Sequence, residues 1–426
     1  MSAGKFNIEK FYALRFIKLY LNSCGVSTNY ESKSVLFPVY KYYLLTCFSI
    51  LTYGQLMHYQ NVNGFPEFAK TTVFVFSAFY LNYCTLHVHF KRKQFGEIIR
   101  LKNDNFYTYS NLVYDLHGLE VDEKFRNIVQ KYGKIWASVY SVVETVPLIV
   151  TPFSEYELGS PETLMIPCKF PWKANTPVSY LLTYLLQLNC IAPISFPVFG
   201  MVFFSVYFLL EMRAQSERIC LVIREIKSMS QIEALVSTSR KFAMSTNTFD
   251  KYRYSENKLL RGFLVDEYNK ISLQKLIHCL KHHQKIVRFI NNFVSCVEAM
   301  FLGDLLYSVG TITFVGYTLV GGMVHPSWYM QYLALVSIGL LYLLLYCHIG
   351  EVINDCNYHI KEALYNTDWY ELNTDYRKTL ALFICNIENC RKLKTCKSYI
   401  ASYELFTSIL KACYTYMNLL LQSFSR

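Results

Sequence analysis

Long apolar runs separated by short polar and basic segments dominate the pattern of this 426-residue chain. A helix needs about 20 mostly apolar residues to cross the hydrocarbon core of a membrane. Seven segments meet that requirement, so the pattern predicts seven transmembrane helices and an all-α membrane protein. The predicted spans are 36–59, 71–90, 134–152, 178–212, 301–323, 328–352 and 399–422.

The segments that flank these spans carry helical signals of their own. Span four is longer than one crossing requires, which predicts that it projects into the cytosol, and Pro193 and Pro197 predict a kink or a loosened turn within it. Residues 286–300 keep helical apolar spacing despite several polar side chains, as in a cytosolic helical extension. The polar stretch 245–258 predicts a mobile tip, and the first 35 residues an amphipathic helix on the inner membrane face.

Composition and charge support the membrane class. Hydrophobic residues make up 53% of the chain and charged residues 17%, which is below the quarter typical of soluble domains. Alternate gaps between the spans hold 35 Lys and Arg on one side against 4 on the other. Because basic loops stay on the cytosolic side, the N-terminus is predicted to be cytosolic and the C-terminus extracellular. No basic stripe or motif indicates nucleic-acid binding.

Cysteine and histidine patterns predict neither a metal site nor a cofactor. The fourteen cysteines contain no Cys-x-x-Cys pair, so reduced structural thiols are expected. His278 and His282 lie one helical turn apart, but no Glu follows the first His as a zinc-enzyme motif requires. A membrane-embedded enzyme is therefore disfavoured, and no catalytic residue is assigned.

The last eighty residues carry a recognisable set of motifs. Span six ends in Tyr-Cys-His-Ile-Gly-Glu at 346–351, Ala-Leu-Tyr and a Trp follow within 363–369, and the final span includes Tyr-Glu-Leu-Phe and Ile-Leu-Lys-Ala within 403–412. This combination resembles the insect odorant receptor family. Thr-Tyr at 415–416 with Gln422 is also similar to the related gustatory receptors, where Phe usually follows the Gln; here Ser423 follows it.

The resemblance implies an odorant-gated, non-selective cation channel in the plasma membrane of a sensory neuron. Such channels are tetramers that combine odorant-tuning subunits with a common co-receptor subunit. The co-receptor typically has a longer insertion between spans four and five, so this chain looks like a tuning subunit. Its implied partners are a small volatile odorant, the co-receptor, membrane lipid and permeating cations. The alternative is a gustatory receptor channel subunit.

The resemblance also divides the chain by role. Residues 1–35 form the cytosolic amphipathic segment, and spans one to four within 36–212 form the ligand-pocket bundle. The cytosolic extensions and tip follow at 213–300, spans five and six at 301–352, a cytosolic anchor segment at 353–398, and the pore-lining span seven at 399–426.

Three positions of the last span match pore positions of the family, namely Leu419, Gln422 and Ser423. Leu419 is expected to act as a hydrophobic constriction, or else to contact lipid or a neighbouring subunit. Gln422 offers a neutral amide to ions, as weak selectivity requires. Ser423 replaces the apolar residue often found in the co-receptor, which fits a subunit that opens beside others.

A volatile odorant needs an enclosed site of aromatic and aliphatic walls with few polar groups. Family members place it between spans in the outer half of the membrane. Glu144 is the sharpest single candidate, because an acid within an apolar span usually faces a partner or a cavity. Aromatic residues at helical spacing also pack helices together, so each of these candidates could serve packing instead of ligand binding. The candidates are Phe74, Phe76, Phe79, Tyr80, Tyr140, Val143, Glu144, Pro147, Tyr184, Gln187, Leu188, Ile191, Tyr329 and Tyr332.

Further polar residues lie near the cytosolic ends of spans five and seven. Asp304 and Glu298 are expected to pair with Arg and Lys of the cytosolic assembly, or to bias the ion exit path. Ser402, Glu404 and Lys411 lie where the family joins the anchor to the pore helix. That joint is expected to transmit ligand-driven movement, to pack subunits together, or both.

Overall fold

The chain folds into a bundle of long helices, here in a computed structural model that describes residues 36–62, 64–103, 166–245, 253–322, 329–395 and 399–424. It also describes residues 120–121, 123–125, 127–135, 138, 164 and 324. The N-terminal 35 residues lie outside the described residues, as does most of predicted span three. The helices are α1 Leu36–Tyr59, α2 Phe65–Phe90, α3 Arg92–Asn103, α4 Pro177–Ser245, α5 Arg253–Val320, α6 Tyr329–Tyr365, α7 Thr374–Glu388 and α8 Tyr403–Phe424.

Helix α2 begins six residues before its predicted start at 71. Gly64 precedes it with φ of 87°, a conformation that glycine adopts without strain, and proline occupies the first turn. Glu67 and Lys70 lie in this added stretch, and an apolar criterion therefore excluded it. A helix end tolerates such residues because it reaches past the apolar part of the bundle.

Helices α4 and α5 are each nearly 70 residues long. At 1.5 Å per residue each spans about 100 Å, far more than the roughly 30 Å of a hydrocarbon core. The predicted extensions of spans four and five are thus continuous with the spans themselves. Helix α4 continues through Pro193 and Pro197, and the kink there stays a prediction. Helix α5 begins at Arg253, within the stretch predicted as a polar tip; residues 246–252 lie outside the described part.

Aromatic side chains at helical spacing hold this long pair together. On α5, Phe289, Phe293 and Val297 are fully buried, and Phe289 lies 5.6 Å from Phe208 of α4 between ring centroids. Residues three or four apart share a helix face, so the apolar periodicity of 286–300 packs continuously on α4. The core therefore extends well beyond the membrane-spanning segments.

The anchor end of the bundle, defined as residues 366–400 with the neighbouring turns of α4 to α6, contains the short elements. Trp369–Glu371 forms a 3-10 helix, and α7 follows with Asn373 as its N-cap, whose side chain accepts from Tyr376 N at 3.0 Å. Strands β1 (Lys394–Thr395) and β2 (Tyr399–Ile400) pair antiparallel. The first residues of predicted span seven are therefore a strand, and the helix starts at Tyr403.

Three of the helices in the described part contain apolar stretches long enough to cross a membrane: Glu67–Phe90, Arg261–Val320 and Gln331–Tyr365. They contain predicted span two and most of predicted spans five and six. Predicted spans one and four are helical in α1 and α4, and predicted span seven is helical from Tyr403 onward.

Two buried histidines lie in the α5 extension, outside predicted span five. His282 Nε2 lies 3.1 Å from Gln215 Oε1, and the His283 ring packs 5.2 Å from that of Phe383 with no hydrogen-bond partner at either nitrogen. Burial lowers the pKa of His283 to about 4, and burial with nearby Arg218 lowers that of His282 to about 3. Both rings are therefore neutral in the folded protein at neutral pH.

We expect acid to destabilise this region through His283. A histidine whose folded pKa is depressed stabilises the fold above its unfolded pKa of about 6.5, and this contribution is lost as pH falls toward 4. Between pH 7 and pH 5 the loss is about 2 kcal/mol. In thermal unfolding of the detergent-purified protein, His283→Leu should lose less stability on acidification than the parent, whereas exposed His359→Asn should match it. An equal loss in His283→Leu would contradict this assignment.

Candidate functional site

One cluster of buried side chains brings predicted ligand contacts together. It consists of Val73 and Phe74 of α2, Val315 of α5, Val324 of the connection after α5, and Tyr332 of α6. The rings of Phe74 and Tyr332 meet edge to face at 5.8 Å. It lies at the end of the bundle that holds the connections 60–64, 166–176 and 321–324, here called the loop end. We refer to these five residues as the loop-end cluster.

Other predicted contacts on α2 face elsewhere. Phe76 and Phe79 are 43% and 51% exposed, and Phe76 packs against Phe314 on the outside of the bundle. Two residues along a helix turn the side chain by about 200°, so Phe74 and Phe76 cannot share a face. Tyr80 is buried, but deeper than the loop-end cluster. The predicted set on α2 thus spans three environments.

The α4 candidates divide in a similar way. Tyr184 and Gln187 are buried, whereas Leu188 and Ile191 are half-buried, and Ile191 packs against Cys47 of α1 and Cys190. On α6, Tyr329 is half-buried and Tyr332 belongs to the loop-end cluster. The four candidates of span three, Tyr140, Val143, Glu144 and Pro147, lie outside the described residues.

The side-chain amide of Gln187 forms hydrogen bonds to the backbone of this chain. Its Nε2 donates to the carbonyl oxygen of Ile166 at 2.9 Å, and its Oε1 accepts from Ile166 N at 3.4 Å. Ile166 in turn packs against the loop-end cluster. A segment before α4 that carried no helical or strand signal therefore lies beside the predicted ligand residues, which sequence reasoning missed.

A buried acid lies below the loop-end cluster. Asp304 of α5 is 2% exposed, accepts a hydrogen bond from Tyr80 OH, and is bonded also to Tyr346. Tyr307 stacks on Tyr80 with ring centroids 4.4 Å apart. The expected pairing of Asp304 with Arg or Lys is wrong for the described residues, because its helix face turns toward the tyrosines of α2 and α6 rather than toward the basic loops.

Glu298, one and a half turns before Asp304, does pair with a basic residue. Its carboxylate accepts from the guanidinium of Arg391, which follows α7. The predicted pairing of Glu298 with a basic residue is therefore confirmed.

The Tyr-Cys-His-Ile-Gly-Glu motif joins α6 to the start of α8. Glu351 Oε1 accepts from Tyr403 N at 3.1 Å, and His348 Nδ1 lies 2.7 Å from Tyr403 OH. A Cβ on Gly350 would lie 2.7 Å from Ala401 Cβ and 2.9 Å from its carbonyl carbon, so glycine permits this close approach. We call these contacts the α6–α8 joint.

The motif of Ala-Leu-Tyr and Trp within 363–369 lies at the C-terminal end of α6 and holds that end in place. Ala363 and Leu364 are buried, and Lys227 Nζ of α4 lies 2.6 Å from Asp368 Oδ2 and 3.3 Å from Glu371 Oε2. Hydrogen bonds to these two carboxylates raise the pKa of Lys227. The residues around Trp369 therefore tie α6, the 3-10 helix and α4 together.

Helix α8 packs on the bundle along one narrow side. Among its described side chains at 403–423 only Cys413 is buried, and Met417 lies against Gly316 of α5. The three predicted pore residues Leu419, Gln422 and Ser423 are exposed. Glu404 and Lys411 are exposed too, whereas Ser402 Oγ accepts from Leu405 N at 3.2 Å and caps the helix start.

Comparison with known proteins supplies the wider context. A family model described as 7tm Odorant receptor matches residues 64–414. Odorant receptor 85b of Drosophila melanogaster is 24% identical over 42% of this chain and 45% of its own length; Odorant receptor Or2 of Anopheles gambiae is 26% identical over 34% and 38%. The matched segments thus span less than half of these relatives.

Solved structures match across nearly the whole chain. The olfactory receptor OR5 of the insect Machilis hrabei, in complex with eugenol, has a TM-score of 0.72 and 10% identity over 97% of this chain and 98% of its own. A second structure of the same receptor has a TM-score of 0.69. The likeness confirms the predicted all-α membrane fold with seven spans. The matched family model and relatives do not favour the gustatory alternative.

Proposed function

Since the chain belongs to the 7tm odorant receptor family, we propose that it is an odorant-tuning subunit of a ligand-gated, non-selective cation channel. The single observation that carries the channel assignment concerns α8, a helix of largely apolar composition. Its described side chains are exposed or half-buried, except that of Cys413. In a membrane, lipid would cover the apolar part of such a face, but the exposed polar side chains of Thr415, Gln422 and Ser423 favour further subunits of a tetramer around a central pore.

The face of α8 that would line the pore is a stripe of Thr415, Leu419 and Gln422, spaced four and three residues apart and all exposed. Residues at this spacing lie one above another on a helix. Leu419 would form a hydrophobic constriction that closes by dewetting. Gln422 and Ser423 would present neutral polar groups at its extracellular side, consistent with weak discrimination among cations.

The ligand would be a small, mostly apolar volatile molecule bound at the loop-end cluster. Phe74 and Tyr332 supply aromatic walls with one hydroxyl, and the four candidates of span three stay predicted ligand contacts. Glu144 would hydrogen-bond a hydroxyl, carbonyl or amine of the ligand. Phe76 and Phe79 fit contacts with lipid or a neighbouring subunit better, because they are exposed.

Helix α6 offers a direct route from ligand to pore. It carries Tyr332 in the loop-end cluster and, 19 residues later, Glu351 in the α6–α8 joint, a distance of about 28 Å along one rigid helix. A ligand that binds the open arrangement more tightly would shift the population toward it. The joint would then pass the movement of α6 to α8.

The proposed setting is the plasma membrane of a sensory neuron, with the N-terminus cytosolic and the C-terminus extracellular. The charge distribution of the loops supports this orientation. A co-receptor subunit would complete the tetramer, and the short connection between α4 and α5 supports the tuning role for this chain.

Whole-cell recording tests the proposal. Cells would express the chain alone, an insect odorant receptor co-receptor alone, or both, during perfusion of volatile esters, alcohols, ketones and aromatics. We expect ligand-evoked current that reverses near zero with Na⁺ and K⁺ only on co-expression. Evoked current from this chain alone would contradict the tuning role, and silence of the co-expressed pair with the protein at the surface would contradict the channel function.

A further inference from the structure

Gln187 makes a two-point contact that resembles a step of a β-ladder. Its amide donates to and accepts from the backbone of one residue, Ile166, and the Gln187 side chain is fully buried. An amide with both polar ends engaged has little left to offer a ligand. Replacing either bond by one to a ligand would leave a buried backbone group without a partner, which costs free energy.

The segment that includes Ile166 is held at further points. Lys169 N donates to the carbonyl oxygen of Gly54 on α1 at 2.9 Å, and Lys169 Nζ lies 3.2 Å from Asn61 Oδ1. Trp172 Nε1 donates to Thr183 Oγ1 on α4 at 2.9 Å. The segment 166–172 therefore bridges α1 and α4 at the loop end in a defined conformation.

Burial shows which side chains of this segment face inward. Cys168 is 2% exposed and lies against Gly54, so the chain passes close to the α1 backbone. Ile166 is half-buried and packs on the cluster that contains Phe74 and Tyr332. Lys169 and Trp172 face outward. Ile166 is thus the apolar side chain that this segment places against the predicted ligand residues.

We propose that the segment 166–172 forms the loop-end wall of the ligand pocket, in which Ile166 limits the length of the apolar ligand and Gln187 acts as a positioning residue for Ile166. This inference rests on the proposed function. The ligand class is a straight-chain or lightly branched volatile whose apolar end points toward Ile166. Gln187 itself does not contact the ligand.

Substitutions at Ile166 test the wall. The chain would be co-expressed with the co-receptor and perfused with straight-chain alcohols, acetates and 2-ketones of graded length. Ile166→Ala should move the most potent member to a chain longer by about two carbons, and Ile166→Phe to a shorter one. The potency ratio of long to short members should change by at least about tenfold, since one methylene in an apolar pocket is worth that much. Unchanged ratios with normal current would overturn the proposal.

Substitutions at Gln187 separate positioning from contact. Gln187→Met keeps the length and removes both hydrogen bonds to Ile166. If Gln187 positions Ile166, this variant should lower the potency of ketones and of matched hydrocarbons by the same factor and should alter the length preference. A loss confined to ketones and alcohols would show direct contact and overturn this part. Gln187→Glu keeps the acceptor for Ile166 N and should restore part of the length preference.

A double variant and a surface control complete the test. Because both residues act through one wall, Ile166→Ala in the Gln187→Met background should shift the length preference less than it does alone. Independent, additive shifts would contradict the coupling. Leu182→Ala, on the exposed face of the same helix, should leave the preference unchanged. Silence of the unsubstituted channel to every compound would instead contradict the proposed function.

Discussion

Replacing Gly350 by alanine is expected to reduce ligand-evoked current to less than about a tenth, because a strain of about 2 kcal/mol at this joint would shift the open population about thirtyfold. The added Cβ would lie 2.7 Å from Ala401 Cβ and 2.9 Å from its carbonyl carbon. Neither is the end of a flexible side chain, so backbone must move. The start of α8 would shift relative to Glu351 and Tyr403.

The measurement is peak current normalised to surface protein, with co-receptor present. Gly262→Ala is the matched control, because Gly262 lies inside α5 as Gly350 lies inside α6, and an added Cβ there would have no neighbour within 4 Å. Glu351→Gln keeps an acceptor for Tyr403 N and should retain more current than Glu351→Ala. Parental current from Gly350→Ala at equal surface level would show that the joint does not carry the gating movement.

Asp304→Ala is expected to destabilise the protein by about 2–5 kcal/mol, since each buried hydroxyl left without its acceptor costs about 1–3 kcal/mol. Tyr80 and Tyr346 both bond this carboxyl, and they come from two different helices. Its removal would therefore loosen the packing of α2 and α6 on α5. Asp304→Asn keeps the shape and one acceptor and should cost less.

Thermal unfolding of the detergent-purified protein measures this effect. Asp266→Ala, at an exposed position of the same helix, should stay within about 0.5 kcal/mol of the parent. Tyr80→Phe removes one of the two hydroxyls and should fall between the parent and Asp304→Ala. A transition temperature of Asp304→Ala equal to that of Asp266→Ala would show that the tyrosine contacts contribute no stability.

Apolar runs identified most helices because hydrophobicity is a property of the local sequence. Predicted spans one and two lie within α1 and α2, and predicted spans five and six overlap α5 and α6 except at their outermost residues. The spacing of 286–300 indicates the helix that continues before span five. The ends of the helices were harder to predict from the sequence. Glu67 and Lys70 hid the first turns of α2, and the two-residue pairing of Lys394–Thr395 with Tyr399–Ile400 is too short to leave a periodic signal.

Contacts between helices escaped sequence reasoning for a different reason. The position of Asp304 near the cytosolic end of span five predicts basic partners or a role in the ion exit path, yet its rotation on α5 turns it toward Tyr80 and Tyr346. Gln187 looked like a ligand contact because it is a polar residue in an apolar span. Its partner Ile166 lies in an irregular segment, and nothing in that segment's own residues indicates that it folds onto the bundle.

Local sequence suffices to predict the membrane class of this protein, most of its helices and, through the residues around Cys347 and Trp369, its family resemblance, because apolar runs and short motifs lie in contiguous residues. The folded bundle is needed to show which faces of those helices meet. It placed Phe74 with Tyr332, turned Phe76 and Phe79 outward, and brought Gly350 against Ala401. Such contacts depend on the rotation and register of whole helices, which many distant residues set together through packing.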